Sequence, residues 1–282
     1  MRLGTRGSAL ALAQSTPVAE RLGAELVVVD SEGDGSSTLR SALLAGDVDV
    51  VVHSLDELPT GPAEGLVVAA VLKRAEARDA LCARASLTLD TLPAGARVGC
   101  GSALRRAQVL SRRPDLDVVQ LSGDVDSLLD RVGADLDAVV LAAAALESLG
   151  LLHSASEIFG IDGWPTAPAQ GALAVEVRAG QAKSVQKLQH RPTRLATEAE
   201  RGVLRRLGAG RAAPVGAHAL LDDGLLFLSA RVYSLDGTQH LTSAHALYPE
   251  DSAHPAEDLA ERVAEELLAA GAADLAPLGA AS

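Results

Sequence analysis

Short apolar runs alternate with amphipathic stretches through the first half of the chain. Residues 26–29, 48–52 and 66–72 read as buried strands. Residues 9–22 place apolar side chains at helical spacing directly after Ser8, a residue type suited to a helix N-cap. A second block, beginning near Arg78-Asp79-Ala80, repeats the alternation: a strand at 97–99, a helix over 103–110, a strand over 117–121, a helix over 125–132 and a strand over 138–141. Strand–helix–strand order of this kind predicts parallel strands joined by crossover helices, hence α/β units. Residues 164–178 follow as a return segment ending in a strand over 172–177.

The rhythm changes in the last third. A helix over 193–207 precedes strands over 217–221, 225–233 and 239–247, and a helix over 255–270 closes the pattern. The strands are joined by turn residues, Asp222-Asp223-Gly224 and Ser234-Leu235-Asp236-Gly237, so they form a meander in a small α+β domain. The Ala-rich stretch beyond predicts a frayed terminus, and no internal sequence repeat is visible.

Composition narrows the classes. At 282 residues there is room for two or three cored domains. Only 2% of residues are aromatic against 48% hydrophobic, so the cores must be built from Leu, Val and Ala. A formal charge of −12 argues against a nucleic-acid or anionic-membrane partner, because either requires a basic face. No apolar run is long and charge-free enough for a membrane span, and no export signal precedes the first strand, so a cytoplasmic protein is expected. Cys82 and Cys100 are too few for a disulfide framework or metal cluster, and the histidines are scattered, so no metal is expected.

Five segments carry the chemistry: residues 3–14 (LGTRGSALALAQ), 52–60 (VHSLDELPT), 98–108 (VGCGSALRRAQ), 121–129 (LSGDVDSLL) and 207–216 (LGAGRAAPVG). Ser8 and Ser102 stand at helix starts, where free amides can meet an anion, and arginine forks match carboxylates. These segments resemble the "ATRxSxLALxQ", "VHSxKDxPT", "VGTSSxRRxxQ", "LRGNVxTRL" and "LxGGCxxPxG" signatures of the porphobilinogen deaminase (hydroxymethylbilane synthase) family. The resemblance implies two periplasmic-binding-protein-like (type II) α/β domains around a cleft plus a small C-terminal α+β domain. Domain 1 would be residues 1–75 with 165–182, domain 2 residues 76–164, and domain 3 residues 188–282.

The resemblance also assigns roles. Asp56 and Glu57 stand where the family has Lys and its catalytic Asp, which leaves Glu57 as acid/base or cation stabiliser with Asp56 beside it. Arg6, Ser8, His53, Ser54, Ser102, Arg105, Arg106 and Arg211 are the expected substrate contacts. Gapless alignment sets Leu104 and Arg105 against the family's arginine pair; a one-residue shift sets Arg105 and Arg106 there, and both alignments stay open. Arg211 occupies the place of the Cys that carries the family's dipyrromethane.

The departures from the pattern set the functional expectation. Asp56 and Glu57 form a doubly negative pair that disfavours an anionic substrate. Ser122 and Leu128 replace two arginines, and the short Gly/Ser segment over 30–37 predicts an open site without a lid. Together they predict a divergent enzyme with no dipyrromethane and no other cofactor. It would act as a monomer on one small substrate in the interdomain cleft. Two alternatives remain: an active hydroxymethylbilane synthase of tetrapyrrole biosynthesis, and a non-catalytic small-molecule binding protein.

Overall fold

The computed structural model describes residues 1–29, 35–210 and 212–279. The chain divides into two compact units, Met1–Ala75 with Gly171–Arg194, and Glu76–Gln170 with Leu195–Ser282.

In the first unit a five-stranded sheet runs in the order Glu25–Val28, Arg2–Thr5, Val50–Ser54, Leu173–Arg178, Leu66–Val71. The first three strands are parallel, and the return strand Leu173–Arg178 is antiparallel to both neighbours. Val50, Val51 and Val52 are all buried, the near-continuous apolar run expected of a strand covered on both faces. Val50 and Val52 pack with Val18 and Ala19 of the helix Ala9–Leu22, while Val51 packs with Leu39 and Leu43 of the helix Gly35–Ala45. The first helix starts where Ser8 Oγ accepts the Ala11 amide at 3.3 Å, and it stops at Gly23 in the left-handed conformation. The second begins at Gly35, inside the segment expected to be a short loop; residues 30–34 of that segment lie outside the described residues.

One buried charge cluster ties this sheet to its helix. Glu176, on the return strand opposite Val51, is 1% exposed. The Arg40 guanidinium grips it, with Nε at 3.0 Å from Oε2 and Nη2 at 2.9 Å from Oε1. His53 Nε2 lies 3.2 Å from Oε2, within Coulomb range but off the line of a hydrogen bond.

The second unit repeats the plan without repeating the sequence. Its five strands run Asp117–Gln120, Arg97–Cys100, Ala138–Ala142, Asp79–Ala83, Glu157–Ile158. The first three are parallel and Asp79–Ala83 is antiparallel to both neighbours. After them comes an antiparallel meander of Val215–Asp222, Leu225–Tyr233 and His240–Leu247. Its inner face, Leu226, Leu228, Ala230 and Val232, packs on Val203 of the helix Arg191–Leu207 and on Leu259, Val263 and Leu267 of the helix Pro255–Ala269. This is the expected plan of two α/β sheets and a small C-terminal α+β domain.

The expectation of a frayed Ala-rich end is corrected for the residues described, because Ala272 and Ala276 are buried in this same core. Within the second unit, Glu200, fully buried, accepts the Ala169 amide at 2.6 Å and the Ala219 amide at 2.7 Å, tying the return segment to the meander. The turn at Gly237 (φ +73°) seats against the helix Ala103–Arg112, where a Cβ would overlap the Ala107 carbonyl. No helix among the described residues is long and apolar enough to cross a membrane.

Burial pushes the Glu176 carboxyl up, yet the His53 ring and the Arg40 guanidinium outweigh it and hold it below the ordinary glutamate value of 4.5. A carboxylate with a depressed folded pKa stabilises fully above its unfolded value, and the benefit is lost as pH falls through the folded one. Denaturant midpoints of the native protein should therefore drop steeply below about pH 4.5, and Glu176→Gln should flatten that drop. Glu176→Ala, which leaves Arg40 without its counterion, should cost about 3–5 kcal/mol at neutral pH; a cost below about 1 kcal/mol would show that the cluster is not a buried ion pair.

Candidate functional site

In the first unit the strand order puts Arg2–Thr5 and Val50–Ser54 side by side, with the helices Ala9–Leu22 and Gly35–Ala45 on opposite faces. The carboxyl ends of two such strands bound a crevice at the topological switch point, where open α/β sheets bind ligands. Arg6 and Ser8 leave the first strand there, and the second ends in Ser54 and the 3-10 turn Leu55–Glu57. The pattern Leu55-Asp56-Glu57-Leu58 dictates how that turn sits: both leucines are 4% exposed and anchor it, so both acids face outward. The Leu55 amide donates to the Ala172 carbonyl at 2.9 Å, which pins the turn to the return segment.

The result is a charge pair that the sequence did not reveal. Arg6 Nη2 lies 3.1 Å from Glu57 Oε2, with side chains 34% and 46% exposed. A pair this exposed contributes about 0–1 kcal/mol to stability, so a ligand can separate it cheaply. Ser54 Oγ donates to Gln14 Oε1 at 3.4 Å, placing both beside the pair's two strands. Arg6, Ser8, Ser54, Asp56 and Glu57 are thus gathered at one end of one sheet. His53 is not among them; its ring is buried against Glu176 under the site.

The second unit has a corresponding switch point, between Arg97–Cys100 and Ala138–Ala142. Ser102 stands there as N-cap of the helix Ala103–Arg112, accepting the Arg105 amide at 3.2 Å. Arg105 extends its fork to Asp79, with Nη2 at 2.8 Å from Oδ1, and to Gln170 Oε1 at 3.1 Å. Asp79 is 1% exposed and also accepts Trp164 Nε1 at 3.0 Å and Gln170 Nε2 at 2.9 Å. Arg106 is exposed and donates to the Val118 carbonyl at 2.8 Å, while Leu104 is buried beside Ala107 and Tyr233. Arg211 lies outside the described residues.

Gln14, Arg40, Asp79, Gln170 and Glu176 were not expected to matter. One signal could have found the acids: each is a lone carboxylate within or beside an apolar strand, DALCA and LAVEVR. Such a group is stable there only when its hydrogen-bonding partners are supplied.

The two thiols are buried. Cys82 is 2% exposed and burial pushes its pKa to about 11. Cys100 is 1% exposed; burial pushes it to about 12, and Arg105 and Arg106 only partly oppose this. A helix start lowers a thiol's pKa in water, but desolvation is the larger effect here.

A family model described as "Porphobilinogen deaminase, dipyromethane cofactor binding domain" matches residues 1–186, and one described as "Porphobilinogen deaminase, C-terminal domain" matches residues 194–269. A protein named porphobilinogen deaminase from Leifsonia xyli subsp. xyli is 52% identical over 99% of this chain and 94% of its own. Proteins of the same name from Thermobifida fusca and Micrococcus luteus are each 42% identical, over 96% and 98% of this chain and 94% of their own lengths. A solved periplasmic substrate-binding protein of an ABC transporter from Coxiella burnetii overlaps 67% of this chain and 89% of its own, at TM-score 0.45 and 17% identity.

These matches correct two expectations. A divergent cofactor-free enzyme acting on one small substrate is contradicted by relatives that share nearly the whole length and one name, and the absence of dipyrromethane by a cofactor-binding domain matched over residues 1–186. Asp56 and Glu57 are not an uncompensated double charge, because Arg6 Nη2 stands 3.1 Å from Glu57 Oε2. The described residues offer charged and hydrogen-bonding partners for such a group, but their thiols do not fit a covalent attachment, because both are buried and protonated at neutral pH. In native protein at pH 8, a thiol reagent such as iodoacetamide should leave both cysteines unlabelled over minutes and label both after denaturation. Rapid labelling of the folded protein at either position would contradict this burial.

Proposed function

The chain belongs to the porphobilinogen deaminase family, and we propose that it is an active hydroxymethylbilane synthase of tetrapyrrole biosynthesis that condenses porphobilinogen with release of ammonia. The observation that carries this reading is the 52% identity, over 99% of the chain, to a relative bearing that name. The Arg6–Glu57 pair at the first unit's switch point supports it in chemical terms.

Porphobilinogen presents two carboxylates, a pyrrole N–H and an aminomethyl group. When its C–N bond breaks, ammonia leaves with the bonding pair and positive charge spreads over the ring and its exocyclic carbon. Glu57 accepts the pyrrole N–H and places negative charge where the positive charge develops. Arg6 takes a substrate carboxylate with its guanidinium fork. In the free protein the two side chains neutralise one another, and the substrate supplies each with a new partner of the right sign. Ser8, Ser54, Ser102 and Arg106 make further substrate contacts. Arg105, held by Asp79 and Gln170, positions the helix Ala103–Arg112 on which it sits. The setting is the cytoplasm, where both thiols stay reduced.

Purified protein given porphobilinogen should release ammonia and form a linear tetrapyrrole. Glu57→Gln keeps the shape and removes the charge, and should lower the rate by about 100-fold or more. Glu57→Asp, which installs the residue of the family signature, should retain turnover. Absence of ammonia and tetrapyrrole from the native protein, or an unchanged rate in Glu57→Gln, would refute the reading.

A further inference from the structure

We infer that the outward face of the C-terminal meander is a binding pocket for a small amphipathic anion, a flat apolar body that ends in one carboxylate. Helices close the inward face of this sheet, and the alternation of a strand leaves Phe227, Ser229 and Arg231 on the other side. Cross-strand register sets Leu220 and Ala246 beside Phe227, and His218 beside Ser229. The face therefore grades from apolar, through hydroxyl and imidazole, to cationic. Ile161 and Pro165 supply a wall, and the pocket so formed holds about 420 Å³, within the range of small-molecule sites. Its apolar end is bare: Leu220 is 43% and Phe227 41% exposed, whereas the chain's other phenylalanine, Phe159, is buried.

Arg231 fixes the class of ligand. Its Nε donates to Thr242 Oγ1 at 2.8 Å, Nη1 to the Tyr233 hydroxyl at 3.2 Å and the Gly163 carbonyl at 3.4 Å, and Nη2 to the Asp162 carbonyl at 3.2 Å. All four acceptors are neutral, so the guanidinium is held in place without a carboxylate partner among the described residues. By contrast, Arg40, Arg105, Arg112, Arg113 and Arg131 each end on a carboxylate at 2.9 Å or less. Glu200, 3.6 Å from the His218 ring, is fully buried and already satisfied by the amides of Ala169 and Ala219. Asp162, exposed at the edge of the pocket, repels a second negative charge, which selects a single carboxylate. A ligand with its carboxylate on Arg231 and its ring on Phe227 and Leu220 uses both ends of the face. The pocket shares no residue with either switch point, so it stands independently of the functional reading above.

The test titrates full-length protein with indole-3-acetate in a calorimeter, and likewise with indole and tryptamine, which carry the same ring without charge and with a positive one. Indole-3-acetate should bind saturably at one site per chain, and tryptamine should not bind. Arg231→Gln should weaken indole-3-acetate by about 10-fold or more while leaving indole unchanged, and Phe227→Ser should weaken both. Arg231→Lys keeps the charge and should retain part of the indole-3-acetate binding, which separates lost recognition from lost folding. Arg6→Gln should leave the binding as it is. Failure of indole-3-acetate to bind, equal binding of tryptamine, or loss of binding in Arg6→Gln but not in Arg231→Gln would overturn the inference. So would a concentration-dependent dimer, seen by sedimentation, that Phe227→Ser abolishes, because the face would then belong to a second copy of the chain.

Discussion

The account depends on one juxtaposition: strand order in the first sheet sets the carboxyl ends of Arg2–Thr5 and Val50–Ser54 next to each other, and so brings Arg6 to Glu57. The two residues are 51 positions apart in sequence. They meet because the first helix carries the chain to one side of the sheet and the second carries it back across the other. The pair is weak as a stabilising contact, which is consistent with the proposed role, in which the substrate separates the two side chains.

Cores built from Leu, Val and Ala have little directionality, and three buried acids supply what the apolar layers lack. Glu176 joins the return strand to the helix Gly35–Ala45 through Arg40. Asp79 collects Arg105, Trp164 and Gln170. Glu200 takes the amides of Ala169 and Ala219. In each case desolvating the carboxylate is offset by donors fixed to a different segment, so the acid determines which segments meet. Glu176 and Asp79 lie beneath or beside the residues gathered at the two switch points.

Much of this was legible in advance where local chemistry and periodicity agreed. The helix Ala9–Leu22 has its cap at Ser8 and its stop at Gly23, and the meander has Gly224 and Gly237 at its turns. Elements whose local signal was weak were missed. Arg2–Thr5 is four residues long and includes a glycine; the helix Gly35–Ala45 opens on Gly-Ser-Ser, which reads as loop. The strand Asp79–Ala83 begins with an acid whose partners lie as far as 91 residues away. The Ala-rich stretch near the end is low in complexity, yet among its described residues Ala272 and Ala276 are buried in the C-terminal core. The charge balance at the first switch point has the same long-range origin. Asp56 and Glu57 are neighbours in sequence, whereas the cation that balances Glu57 comes from 51 residues away and meets it only in the assembled sheet.

A double-mutant cycle on Arg6→Gln and Glu57→Gln, read both in unfolding and in kcat/KM for porphobilinogen, tests the central claim most directly. The pair should couple by no more than about 1 kcal/mol in stability, while each single variant lowers kcat/KM by about 10-fold or more, which is about 1.4 kcal/mol of transition-state binding. Unchanged kcat/KM in both single variants, alongside a marked loss of stability, would show that Arg6 and Glu57 are a structural latch and not the site of the chemistry.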